Sequence, residues 1–350
     1  LSDDIEKLKA EAEKYRSMKV KHAAAEKLYE ASTRLKDKGE DAEAIALLVQ
    51  AVKLYEEERT EKLEEFLEKV APVFDALDQL KLAAETYLKA ADQHVGRADH
   101  RGAIPVYMKA ADAYKRGNLL RDCAQTYRMV AEQYEALSEP LLAAGQLEKE
   151  AEARLQIKDF TGAAAALHEA RDLYREMGRF DEAARCSRQV AELFIQAGSD
   201  RDGERNYLQT ADDLQLAANE IAKTGDGGRA TRFLVEAATI YEKAKRPAEA
   251  SKCHLQAAEE DLRSNNINAA SENYRKAVIE QLLAGDLEAA GNMVGTIKNE
   301  EVRKTTAFKQ AAALVQIFEK RDEERLNTIL KEVNDFSWVR LSLAFGKLVR

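Results

Sequence analysis

The side chains that could do chemistry in this sequence are few and dispersed. Five histidines, His22, His94, His100, His168 and His254, are scattered along the chain. None stands three or four residues from another histidine or from a cysteine, the spacing by which one helix face offers two ligands to a metal ion. Cys123, Cys186 and Cys253 show neither CxxC nor pairing spacing and read as reduced, buried thiols. No GxSxG, Walker or GxGxxG pattern occurs. Gly225-Asp226-Gly227-Gly228 lacks the Lys-Ser/Thr that would follow a phosphate-binding loop and reads as a flexible turn where a repeat slips. With 63 acidic residues, chance pairs of carboxylates carry no information. The expectation is binding without catalysis: no catalytic residue, cofactor or metal site.

The elements that hold these residues follow from composition. The chain has 350 residues, with only 4 prolines and 16 glycines against 60 alanines. A β-sandwich or α/β domain of this length needs more turn residues and more β-branched ones, so helix is expected nearly throughout. Charged residues make up 33% of the chain and mean hydropathy is -0.51. No apolar run approaches the roughly 18 residues of a membrane span, and no signal-peptide pattern is seen. The start at Leu1 suggests a trimmed or processed end. A net charge of -9 counts against nucleic acid as the main partner. Cytoplasmic location, at most peripheral to membranes, is expected.

Rows of twenty residues align. Ala91, Ala111, Ala131, Ala151, Ala191 and Ala211 share a column, interrupted by Arg171. Eight residues earlier stand Ala83, Ala103, Cys123, Ala143, Ala163, Ala183 and Gly203, all small. Tyrosine or leucine dominates four residues before the alanine, and aromatic residues recur three after it. After a seven-residue insertion the register resumes at Ala230, Ala250 and Ala270, with earlier copies at Ala24 and Ala44. Offsets of -8, -4, 0 and +3 lie on one helical stripe. Two rows make a hairpin of roughly 34–40 residues, the tetratricopeptide-like unit, which buries its stripe only by stacking. The predicted fold is all-α: a right-handed TPR-like α-solenoid of antiparallel hairpins with a small C-terminal helical bundle. The recurring tyrosines read as core packing rather than catalysis.

An acidic column, Asp92, Asp112, Glu132, Glu152, Asp172, Glu192 and Asp212, follows the alanines. It reads as solvated helix face, with i,i+4 partners such as Asp112–Arg116, Arg128–Glu132 and Arg188–Glu192. From Arg97 to Arg128 basic residues outnumber acidic ones by four. Lys89, Lys109, Lys115, Arg116, Arg128 and Lys149 are therefore candidates for a basic surface that steers an acidic helical partner, although a fluctuation in a highly charged chain explains the surplus as well.

The expected division is a capping helix over residues 1–21, the repeats over 22–295 and a C-terminal bundle over 296–350. Ile5, Leu8, Ala12 and Tyr15 give the first helix a thin apolar stripe. Near the other end Val302 to Phe318 reads as one helix, with Phe308, Ala311, Ala312, Val315 and Phe318 inward. Asp322 to Val333 reads as a short one. The chain's single Trp, Trp338, precedes a last helix carrying Leu341, Phe345 and Leu348 on one side.

Three features together resemble the soluble NSF-attachment proteins of the alpha and gamma types: the Ala-rich hairpins; the turn Tyr174-Arg175-Glu176-Met177-Gly178-Arg179-Phe180 running into Ala183-Ala184 and Val190-Ala191-Glu192-Leu193-Phe194; and the C-terminal Leu326–Val333, Trp338, Leu341 and Leu348. The resemblance implies an adaptor that grips a SNARE-like coiled coil on its concave face. It also implies that the C-terminal bundle, through Leu341, Phe345 and Leu348, meets an AAA+ ATPase of NSF type that pulls the coil apart in membrane trafficking. Departures are visible. Arg16 to Ala23 is polar where the animal alpha form carries an apolar, Phe-rich loop. Leu348 is third from the end, with basic Lys347 and Arg350 where the family is acidic. The other reading is a general tetratricopeptide scaffold that binds extended peptides without an ATPase.

Overall fold

The computed structural model describes the backbone of residues 2–58, 62–332 and 337–349, and among these the regular elements are α-helices. They run in order as α1 (Ser2–Ser17), α2 (Lys21–Asp37), α3 (Asp41–Glu58), α4 (Leu63–Ala76), α5 (Leu80–Gly96), α6 (His100–Arg116), α7 (Leu120–Ala136), α8 (Pro140–Gln156) and α9 (Phe160–Glu176). Then follow α10 (Phe180–Gln196), α11 (Asp200–Lys223), α12 (Gly227–Lys243), α13 (Pro247–Arg263) and α14 (Ile267–Ala284). The last are α15 (Leu287–Thr296), α16 (Glu300–Lys304), α17 (Thr306–Lys320), α18 (Glu323–Glu332) and α19 (Ser337–Val349). The fold class is an all-α solenoid of TPR-like helices, in which successive helices pack on one another from α1 to α8 in one part and from α10 to α14 in the other.

The twenty-residue period is set at the turns as much as in the helices. A left-handed residue closes one helix after another: Asp78, Ala98, Asn118, Ser138, Lys158, Gly178 and Gly198, then Gly225, Lys245, Asn265 and Gly285. The following amide donates back to a carbonyl in the last helical turn, as in Asp99 to His94 at 2.9 Å, Leu119 to Tyr114 at 2.8 Å and Arg246 to Tyr241 at 2.8 Å. This satisfies carbonyls that the helix end would leave open. Asp99 and Asp159 then cap the next helices by accepting from the Gly102 and Gly162 amides, each at 3.0 Å. A Cβ on Gly102 would lie 2.1 Å from an Asp99 carboxylate oxygen, and one on Gly162 2.3 Å from that of Asp159. At these two positions a larger residue would have to displace the capping carboxylate as it is placed here, turned toward His94 and Arg154.

Between the turns, the alanine column is buried at Ala91, Ala111, Ala131, Ala151, Ala191 and Ala211. The small residues eight positions earlier are buried too, which lets neighbouring helices approach closely. The tyrosines fill the remaining space, and Tyr107 donates its hydroxyl to Asp92 Oδ1 at 2.6 Å. Burial first, and that hydrogen bond second, raise the Tyr107 phenol above its ordinary pKa, so it stays a donor. All seven members of the acidic column are exposed. One row escaped the sequence pattern: Leu63, Leu67, Ala71 and Phe74 on α4 occupy the same four offsets, with a leucine where a small residue stands elsewhere.

The chain divides into two compact units, Leu1–Leu173 and Tyr174–Arg350. In the first unit α1 buries Ile5, Leu8 and Ala12 against the array. In the second, the seven-residue insertion lengthens α11 to 24 residues against 17 in α10 and α12. Seven residues are close to two helical turns, so Ala218 repeats the burial of Ala211. The Gly225–Gly228 segment is therefore an ordinary interhelical turn, with Gly225 left-handed and Asp226 accepting from the Arg229 amide at 3.1 Å.

At the end of the second unit α14 packs against α15, α16, α17 and α19. The expected single helix over 302–318 is broken at Thr305. Its Oγ1 donates to the Val302 carbonyl at 2.7 Å and accepts from the Phe308 amide at 3.2 Å, ending α16 and capping α17. Phe308, Ala311, Val315 and Phe318 are buried as expected, Ala312 is half-buried, and Leu314 and Ile317 join the core.

Candidate functional site

The six basic residues singled out in the sequence lie on helices of the first unit, but their charges are not equally available. Lys89 on α5 pairs with Glu56 at 2.5 Å. Arg116 on α6 donates through both terminal nitrogens to Asp75 of α4, at 2.9 and 2.5 Å, and lies 3.6 Å from Asp112. Arg128 on α7 bonds Glu150 at 2.9 Å and Glu169 at 2.6 Å. Three of the six cations are thus neutralised within the protein. The i,i+4 partner expected for Arg116 is present, whereas Arg128 turns to Glu150 and Glu169 and Arg188 to Glu236, away from the acids on their own helices. A guanidinium reaches farther across the groove between helices than along its own surface, and a buried carboxylate such as Glu150 binds it more strongly than an exposed one.

Lys109, Lys115 and Lys149 have no carboxylate partner among the described residues. Lys109 sits with its Nζ 5.7 Å from the centre of the Tyr87 ring, and Lys149 sits 5.7 Å from that of Tyr127. The two pairs recur one hairpin apart, Tyr87 and Tyr127 on α5 and α7, Lys109 and Lys149 on α6 and α8. A tyrosine face holds an ammonium in place without cancelling its charge. Lys115 and Lys149 also line a notch of about 130 Å³ with Leu120, Cys123, Tyr127, Glu152, Ala153 and Gln156. Burial pushes the Tyr127 phenol up to about 12, and burial raises the Cys123 thiol. Neither is an activated nucleophile.

The C-terminal candidates are placed differently from expectation. Leu341 has 0% of its surface exposed and Phe345 3%, packed with Leu314, Phe318 and Leu326. The Phe345 ring meets Phe318 edge-on with centroids 5.1 Å apart. Both side chains anchor α19 and are not offered to a partner while that helix is docked. Among the described side chains of α19, the large apolar one that is exposed is Leu343, at 66%. The side chains of Leu348 and Trp338 lie outside the described residues. Arg340 of α19 reaches Glu280 of α14 at 3.4 Å, a second tie for the last helix.

Two arrangements have no signal in the sequence spacing. In the second unit a surface cavity of about 510 Å³ is lined by Ile195, Glu204, Tyr207, Ile240, Lys243, Ala244 and Lys245. In the first, Glu64, Glu68 and His94 bring one possible ligand atom each within 4.8 Å of one another, although no metal site was expected. The ligands come from α4 and α5, so a search for histidines or cysteines within one helix could not find them.

A family model described as soluble NSF attachment protein, SNAP, matches residues 96–340. No curated protein sequence matches the chain. Among solved structures, a circular tandem repeat protein with novel repeat topology is similar at 14% identity and a TM-score of 0.31, covering 100% of this chain and 89% of that one. The TPR2AB-domain:pHSP90 complex of yeast Sti1 is similar at 18% identity and a TM-score of 0.25, over 79% of this chain and 99% of that one.

Proposed function

The chain belongs to the soluble NSF attachment protein family, and on that premise we propose that it is a non-enzymatic adaptor joining a SNARE-like coiled coil to an AAA+ ATPase of NSF type. The family assignment and the helical-repeat fold support a protein-binding scaffold. The client's identity and the ATPase are the proposal.

The observation that carries the client-binding half is the pair of ammonium groups with no carboxylate partner among the described residues, Lys109 over Tyr87 and Lys149 over Tyr127. An acidic helical bundle laid along α6 and α8 would meet them one hairpin apart, with Lys115 adding a third charge at the notch. These contacts steer and register a partner without the desolvation that buried ion pairs demand. Arg116, Arg128 and Lys89 add little, because Asp75, Glu150, Glu169 and Glu56 already hold them.

Binding of an acidic four-helix coiled coil to the full chain, measured against salt, tests this reading. Lys109→Glu with Lys149→Glu is expected to weaken binding about tenfold or more at low ionic strength and to flatten its salt dependence. Arg116→Glu is expected to change binding far less. Equal loss from both changes, or none from the lysine pair, overturns the assignment. Removal of residues 336–350 is expected to abolish ATPase coupling while client binding persists.

A further inference from the structure

We propose that Glu64, Glu68 and His94 form a binding site for one divalent transition-metal ion, with Zn²⁺ the best match to the donors. Glu64 and Glu68 stand one helical turn apart on α4, and His94 lies on the last turn of α5. His94 Nε2 is 3.0 Å from Glu64 Oε1 and 3.3 Å from Glu68 Oε1. A tetrahedral ion with bonds of about 2.0–2.1 Å holds its ligand atoms roughly 3.3 Å apart. Two of the three edges, those from His94 to each glutamate, are therefore close to what an ion needs, and the third lies within 4.8 Å.

The His94 ring faces carboxylates from both of its nitrogens. His94 Nδ1 lies 2.8 Å from Asp99 Oδ2, and Nε2 faces the two glutamates. Carboxylates only accept, and a neutral imidazole has a single N–H. An imidazolium would donate to carboxylates from both nitrogens, whereas a neutral ring with its proton on Nδ1 toward Asp99 leaves the Nε2 lone pair facing the two glutamates, where a divalent ion takes the place of the second proton. Asp99 is then the outer partner that fixes the histidine tautomer, an arrangement typical of histidine–metal sites. Arg97 pairs with the other oxygen of Glu64, Oε2, leaving Oε1 free to ligate. Three carboxylates against one guanidinium leave a formal charge of -2, which a divalent ion balances. The His94 side chain is 12% exposed, Glu64 18% and Glu68 36%, so the pocket is sheltered yet open to an entering ion, with water as the fourth ligand.

The test uses the full chain stripped of metal, titrated with Zn²⁺ by calorimetry and with Co²⁺ by its visible ligand-field absorption. One saturable site is expected, with a tetrahedral Co²⁺ spectrum that Zn²⁺ bleaches. Glu68→Gln is expected to weaken binding at least about tenfold, Asp99→Asn roughly tenfold or more, and His94→Gln to abolish it. Glu68 is exposed enough for its amide variant to fold, so that variant is readable even if the histidine change unfolds the chain. No saturable Co²⁺ spectrum, or affinity unchanged in Glu68→Gln, overturns the site. So does a His94 ring carrying protons on both nitrogens, seen by nitrogen NMR, with metal present.

Discussion

Arg128 places its Nε 2.9 Å from Oε2 of Glu150, a carboxylate with 0% side-chain exposure. Arg154 holds the other oxygen at 2.8 Å and extends to Asp159 at 2.8 Å. What the sequence presents as a mobile basic residue on a binding surface is thus one half of a buried ion pair between α7 and α8. Arg128→Ala is expected to destabilise the chain by about 1.5–2 kcal/mol, because it takes one of two cationic partners from a buried carboxylate that Arg154 still holds. Urea denaturation checks this. Arg128→Met combined with Glu150→Met is expected to recover most of the loss.

The pH dependence of stability has a contribution from Glu280. Burial raises its carboxyl to about 7, partly opposed by Arg340. Below an unfolded pKa near 4.5 both states are protonated, and this group contributes no difference. As pH rises from there to about 7 the unfolded chain ionises first, so stability falls across that window and the penalty stays constant above it. Glu280→Gln is expected to stabilise the chain by roughly 2–3 kcal/mol at pH 8. The advantage should vanish near pH 4, as read from denaturation midpoints of the two proteins at each pH.

The left-handed turn residues allow a paired test. Gly198 has φ +79°, and a Cβ added there would meet nothing within 4 Å, so Gly198→Ala is expected to cost about 1 kcal/mol through the backbone alone. Lys245, at φ 58°, carries a side chain in the same conformation, and Lys245→Gly is expected to gain a few tenths to about 1 kcal/mol. Opposite signs in thermal melts check both.

On α19 the buried and exposed faces separate stability from recognition. Leu341→Ala is expected to cost about 3 kcal/mol and to release the helix. Leu343→Ser is expected to leave stability within about 0.5 kcal/mol. If α19 touches an ATPase, the Leu343 change weakens that contact in a folded protein. Hydrogen exchange over residues 337–349, run beside an ATPase-binding assay, distinguishes the two effects.

Much of the fold was readable because its determinants repeat. A buried alanine every twenty residues admits a neighbouring helix wherever it falls, and Ala91, Ala111 and Ala131 announce the period. The turns fall where the stripe is interrupted, but their left-handed backbone was not legible, because Ala98, Asn118, Ser138 and Lys158 hold it in succession with no common side chain. Leu63 hid the α4 row, being large where small residues mark the others. The basic surface was legible as a surplus but not as a set of free charges. Arg116 and Asp75 are 41 residues apart, as are Arg128 and Glu169, and no local pattern reveals such pairs. The stripe of Leu341 and Phe345 was found, but the family resemblance turned it toward a partner, whereas its apolarity reflects the core of its own unit.

The long helix α11 shows how an array of this kind tolerates growth. Two added turns place Ala218 on the face that Ala211 occupies, so the neighbouring helices meet the same surface they would have met without them. An addition of two or five residues would swing the downstream alanines off that seam and place charged side chains there instead. Length in this architecture is quantised, and the permitted step is the one by which a helix comes back to nearly the same azimuth.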